Sequence, residues 1–150
     1  LFVPCSDNLS FSNTSNHWSL LVVDAIDRKA YHFDSSTCRT NKESAVITMQ
    51  RLCLVLQWEY EHPIVEVPTP QQSNGYDCGV FMLLITKYLA MHVDSQSPLH
   101  GIDTISNNLM ALLHERECTE FRDQILSIVR QLSEEYLEQK SRNSTERKSS

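Results

Sequence analysis

The stretch His17–Asp24 (HWSLLVVD) narrows the folds open to this chain more than any other. Leu20 to Val23 are apolar without a break and rich in β formers. A strand with one wet face alternates apolar and polar residues, whereas an unbroken run asks for cover on both faces. The expectation is therefore a central strand with a layer of chain against each side. Ala30–Asp34 (AYHFD) follows after the polar turn Ala25–Lys29, and the two strands should form a hairpin.

The remaining chain supplies the layers. Leu1–Pro4 reads as a short buried strand and Ser6–Asn16, rich in Ser and Asn, as an exposed loop. Beyond the loop Ser35–Asn41, Lys42–Gln57 has apolar residues at 45, 46, 49, 52, 53 and 56, which is helical spacing. Ile64–Val67 is a short strand between Pro63 and Pro68, and Thr69–Asp77 is a loop. A helix is expected from Cys78 to about His92, then a break at Asp94–Gly101, then helices at about Ile102–His114 and Glu120–Gln139. Antiparallel strands early and helices late point to an α+β fold, a single domain over residues 1–139. The polar tail from Lys140 (KSRNSTERKSS) is expected to be disordered.

At 150 residues the chain is long enough for one proper core. A net charge of −6 with no basic run in the body argues against nucleic acid and anionic membranes as partners. No apolar stretch approaches the roughly 20 residues of a spanning helix. Five cysteines, at 5, 38, 53, 78 and 118, are widely spaced with no CxxC pair. Neither a zinc site nor a disulfide framework is expected, no cofactor is called for, and a reducing compartment, cytosol or nucleus, fits. LFVPC is too short for a signal peptide, and the abrupt start on a strand without an initiator Met suggests that an N-terminal part is missing.

The chemistry gathers around Gln71–Gly79 (QQSNGYDCG), where Cys78 stands at the mouth of an apolar helix. Unpaired backbone N–H groups and the positive end of the helix dipole favour a thiolate there. Such a cysteine needs a base, a group to orient that base, and a donor for an oxyanion. His92, His100 and His114 follow Cys78 with no recognisable carboxylate partner, and His62 sits in a polar turn. His17 opens the long strand beside a polar loop, and strand ends that meet loops commonly carry function. If His17 and Asp34 end two paired strands, the carboxylate can fix the imidazole's tautomer while the other ring nitrogen takes the proton of Cys78. His32, two residues from Asp34 and on the same side of its strand, is the runner-up base, although a place on the hairpin surface is the favoured reading for it. By spacing, Gln71 and Gln72 are equivalent candidates for the oxyanion donor, with the Cys78 backbone N–H as a second.

The ordered set His17–Trp18, Asp34 in HFDS, and Gln72, Asp77, Cys78 and Gly79 in QQSNGYDCG resembles the Ulp/sentrin-type cysteine proteases of ubiquitin-like modifiers, over about Leu1 to Met91. The resemblance implies a papain-like fold of the Ulp and adenovirus-proteinase type, a small antiparallel sheet packed with helices. It implies a catalytic His17, Asp34 and Cys78, and it selects Gln72 for the oxyanion hole. It also makes Trp18 a wall of a slot for the Gly-Gly tail, the alternative being a core tryptophan. The loop before HWSLLV and the HFDS stretch continuing to Asn41 look most like the deneddylating branch, which acts on Nedd/Rub rather than Sumo. The implied substrates are such modifiers and their conjugates or precursors.

One departure stands out. The family's opposite slot wall comes from a Trp-Leu-Asn-Asp segment upstream of the histidine strand, and this chain has none; its other tryptophan, Trp58, reads as core packing. Two other readings share the residue set: acetyl transfer, as in bacterial effectors with a similar His–acid–Cys order, and non-catalytic binding of a ubiquitin-like protein.

Overall fold

The computed structural model describes residues 1–7, 17–37, 41–59, 63–92 and 102–146. Strands β1 (Phe2–Ser6), β2 (Trp18–Asp24) and β3 (Lys29–Phe33) are followed by helix α1 (Lys42–Leu56), strand β4 (Val65–Val67) and helices α2 (Cys78–His92), α3 (Ile102–Leu112) and α4 (Glu115–Glu146). The four strands form one sheet in the order β1-β2-β3-β4. The hairpin β2–β3 is antiparallel with Leu20 opposite Phe33. Asp24 shapes its turn by accepting the N–H of Ile26 at 2.9 Å and of Asp27 at 3.1 Å, and Arg28 takes the left-handed conformation at φ 55°.

The unbroken apolar run of β2 has the consequence expected of it. Leu20 and Val22 join Tyr31, Phe33 and Val67 on one face, against Ile85 and Leu89 of α2 and Leu109 of α3. Leu21 and Val23 join Cys5 and Ala30 on the other, against Ala45, Met49 and Cys53 of α1. Successive strand residues point to opposite faces, so each half of the run needs its own cover. Burying side chains such as these stabilises by roughly 1.5–3 kcal/mol apiece.

The sheet departs from the expected antiparallel one at β4, which runs parallel to β3 with His32 opposite Glu66. A helix of 15 residues, α1, lies between β3 and β4. A connection of that length returns the chain to the starting end of the sheet, which gives a parallel neighbour. Helix α1 stops at Gln57, whose left-handed φ of 56° lets its N–H reach the Cys53 carbonyl. Trp58 then folds half-buried onto the α1 side of the core, with the Arg28 guanidinium 5.8 Å from its ring.

The contacts divide the chain into two compact units, Leu1–Cys118 and Thr119–Ser150. The first holds the sheet and α1 to α3. In it α4 begins five residues before the expected start, because Glu117 reaches back to accept the His114 N–H at 3.1 Å, the glutamate half of a capping box. Those backbone groups hold the exposed Glu117 carboxyl below the usual carboxylate range. The second unit is the rest of α4, with Gln131 to Glu135 at 2.9 Å and Arg142 to Glu138 at 3.5 Å, each four residues apart. The helix runs to Glu146, so residues 140–146 of the tail are helical rather than disordered. Neither Pro nor Gly follows Gly101, and extending an existing helix fixes one residue per added bond. The expected loop at Ser6–Asn16 lies outside the described residues beyond Asp7, as do His62, His100 and Cys38.

Candidate active site

His17 immediately precedes β2 and Asp34 immediately follows β3, so the hairpin delivers both to one end of the sheet. His17 Nε2 lies 2.6 Å from Asp34 Oδ1, with the side chains 2% and 8% exposed. The carboxylate is itself held: Oδ1 accepts the Ser36 N–H at 3.0 Å and Oδ2 the Asn41 N–H at 2.9 Å. The histidine backbone is tied to Asp7, whose Oδ1 accepts the His17 N–H at 3.2 Å. With Nε2 turned to the carboxylate, Nδ1 is the ring nitrogen left to exchange a proton.

The loop carrying the cysteine is stitched to the same end of β3. Gln72 donates its backbone N–H to the Ser35 carbonyl at 2.8 Å, and Ser35 Oγ donates to Gln72 Oε1 at 2.8 Å. Gln71 sends its side-chain nitrogen to the Asp34 carbonyl at 3.1 Å and the Thr69 carbonyl at 2.9 Å. Both of its amide hydrogens are thus engaged, whereas Gln72 Nε2 gives one to the Asn74 carbonyl at 2.6 Å and keeps a second. Asn74 Oδ1 then accepts the N–H of Tyr76 at 3.1 Å and of Asp77 at 3.0 Å, and its Nδ2 donates to Asp77 Oδ2 at 2.6 Å. The buried Asp77 receives the Phe81 N–H on its carbonyl at 2.9 Å, which opens α2.

Cys78 is the first residue of α2 and is buried. Its thiol is free, and no hydrogen bond joins it to His17 among the described residues. Hydrogen bonds therefore unite His17, Asp34 and the Gln71–Asp77 loop, while Cys78 enters through the chain that this loop fixes. Trp18 is 41% exposed, which is not the burial of a core tryptophan. Under the loop opens a cavity of about 430 Å³ whose lining includes Gln71, Asn74, Asp77 and Phe81, and Ser73 Oγ bonds Glu115 Oε1 at 3.0 Å at its edge.

His32 is neither a second base nor a surface residue. It is fully buried, with Nδ1 2.9 Å from Glu66 Oε2 and Nε2 2.8 Å from Ser19 Oγ. Both ring nitrogens are spent on joining β2, β3 and β4. Burial also pushes two other thiols up: Cys5, and Cys118 to about 11, where burial acts ahead of the charges of Glu117 and Glu115. Both hold their protons at neutral pH. Among the described residues no group of three His, Cys, Asp or Glu side chains is placed to hold a metal ion.

Two residues of the site carried no assigned role in the sequence, Ser35 and Asn41. An asparagine just before a helix reads as a cap, and a serine after a strand reads as a turn. Nothing in the order of residues distinguishes those uses from the ones found.

Residues 9–126 match the Ulp1 protease family, C-terminal catalytic domain. The chain belongs to the Ulp1 protease family. Among its relatives is the sentrin-specific protease 8 of Rattus norvegicus, 29% identical over 65% of this chain and 45% of that protein. The NEDD8-specific protease 1 of Schizosaccharomyces pombe is 31% identical over 57% of this chain and 20% of its own. The NEDD8-specific protease 1 of Arabidopsis thaliana is 26% identical over 90% of this chain and 60% of its own. The chain thus spans less than half the length of the first of these Ulp1-family relatives.

Proposed function

We propose that this chain is a cysteine isopeptidase that cleaves after the C-terminal Gly-Gly of a ubiquitin-like modifier, with Nedd/Rub preferred over Sumo. The observation that carries the reading is the buried His17–Asp34 pair at 2.6 Å, bonded to the loop that ends in Cys78. Relatives named for NEDD8 support the choice of modifier.

The chemistry follows from the groups. His17 Nδ1 takes the Cys78 proton, and Asp34 stabilises the imidazolium. Sγ attacks the carbonyl carbon of the terminal glycine, and the oxyanion is met by the remaining Gln72 N–H and the Cys78 backbone N–H. Collapse breaks the C–N bond, and His17 returns the proton to the departing amine. Water, with His17 again as base, hydrolyses the thioester and frees the thiol. Trp18 covers the Gly-Gly tail, since only glycine lets a backbone pass so close beneath an indole. A reducing compartment, cytosol or nucleus, suits a nucleophile that must remain a free thiol.

Modifiers carrying a C-terminal electrophile test the reading. Covalent labelling at Cys78, faster with Nedd/Rub than with Sumo or ubiquitin and abolished in Cys78→Ala, is expected. Reaction with Sumo alone would overturn the choice of modifier. Labelling at another cysteine would overturn the site. Tight binding without labelling would make the chain a non-catalytic binder.

A further inference from the structure

Asn41 occupies the N-cap of α1, yet its side chain makes no capping bond. Asparagine at this position ordinarily accepts an N–H of the first helical turn through Oδ1. Here Oδ1 is buried and finds no hydrogen-bond partner among the described residues. The amide is instead turned so that Nδ2 donates away from the helix, to the His17 carbonyl at 3.2 Å and the Cys5 carbonyl at 3.4 Å. The residue is 1% exposed. A buried acceptor left unsatisfied is unfavourable, so the use of Nδ2 must outweigh the cap that this rotation gives up.

That use is visible in the rest of the residue. The Asn41 backbone N–H donates to Asp34 Oδ2 at 2.9 Å, and its carbonyl accepts the Ala45 N–H at 2.8 Å. One residue therefore holds the carboxylate through its main chain and the histidine's main chain through its side chain, while anchored in the first turn of α1. Because the acid and the base are both fixed from a third point, their separation does not depend on the hairpin alone.

We propose that Asn41 is a positioning residue for the His17–Asp34 pair, acting through its amide donor rather than as a helix cap. The proposal rests on the reading of His17 and Asp34 as the base and its orienting acid. Asparagine and aspartate are equally good N-caps, which separates the two roles. Asn41→Asp keeps a capping side chain, removes the donor to His17, and adds a carboxylate beside the Asp34 carboxylate. A capping role keeps the plateau kcat of this variant at the parent's, the added charge moving only its pH profile. A positioning role slows it.

The experiment compares parent and Asn41→Asp for hydrolysis of a fluorogenic Nedd/Rub amide, for thermal midpoint, and for the pH profile of kcat/KM. The expected result is a kcat about 10- to 100-fold lower, as for lost outer-sphere partners elsewhere, with KM within about twofold because the residue touches no substrate. The acid limb of the profile moves to higher pH, since an added like charge favours the protonated acid and imidazolium. An equal plateau kcat in a folded Asn41→Asp would overturn the proposal, whether or not the profile moves. If that variant does not fold, Asn41→Ser and Asn41→Gly decide, because both residues are accepted at an N-cap and only serine keeps a donor. A kcat order of parent, Ser, Gly supports positioning, and equal values for Ser and Gly overturn it. A parent that labels at no cysteine and hydrolyses no modifier removes the underlying reading instead, a failure distinct from a variant that matches an active parent.

Discussion

Ser35 and Gln72 hold each other twice, by the Gln72 N–H on the Ser35 carbonyl and by Ser35 Oγ on Gln72 Oε1, each at 2.8 Å. Two bonds between the same residues fix both the path of the loop and the rotation of the amide. Because Ser35 directly follows Asp34, the proposed oxyanion donor and the proposed orienting acid share one support.

Ser35→Ala should therefore loosen the Gln72 amide without disturbing the nucleophile. Modifier-amide hydrolysis is expected to fall about tenfold in kcat/KM, less than the 10²–10³ for deleting an oxyanion donor. Alkylation of Cys78 by iodoacetamide, which has no oxyanion, should stay within about twofold. Equal losses in both assays would show general damage to the loop and refute the coupling.

Trp18 is exposed, so Trp18→Ala should leave the thermal midpoint nearly unchanged. Its effect should appear in selectivity. Against modifiers ending in Gly-Gly and Gly-Ala, the parent's preference for Gly-Gly should shrink about tenfold or more in the variant, since the wall that excludes a methyl group is gone. A preference that survives intact would remove Trp18 from the slot.

His32→Ala should act on stability. It leaves Ser19 Oγ and Glu66 without their partner and opens a cavity in a fully buried strand position. A loss of about 2–4 kcal/mol in urea unfolding is expected. The variant's folded fraction should label at Cys78 at the parental rate. Labelling lost while stability holds would make His32 part of the chemistry.

Cys118 sets an alkaline limit. Its thiol ordinarily titrates at 9.0 and in the fold at about 11. Between these values the folded state keeps a proton that the unfolded chain has released, so stability falls as pH rises from about 9 to about 11 and is fully retained below that window. The stability difference between parent and Cys118→Ala should be flat below pH 9 and drop above it. A difference flat across both ranges would contradict the shift.

The sequence announced the hairpin, the two-sided burial of β2 and the span of α2 because each depends on local periodicity. The same logic applied to AYHF would have buried His32, since a strand next to a fully covered strand shares its cover. The direction of β4 was not legible, because three residues between prolines look alike in either sense. The pairing of His17 with Asp34 followed from strand ends, but the part played by Asn41 did not. It depends on which way one amide is rotated, and that is decided by carbonyls of Cys5 and His17, at least 24 residues away.

The Asn74 turn makes length itself a property of the site. From Gln72 to Asp77 the segment is closed by its own side chains, on its own backbone and on one another. Substitutions that spare those bonds leave the span between Gln72 and Cys78 untouched. A single residue added between Asn74 and Asp77 would do what no substitution there does. It would break the turn and, with the packed face of α2 held against the sheet, swing the helix's leading residue by about 100° around its axis. The interval from Gln72 to Cys78 works as a gauge block, tolerant of relabelling and intolerant of being recut.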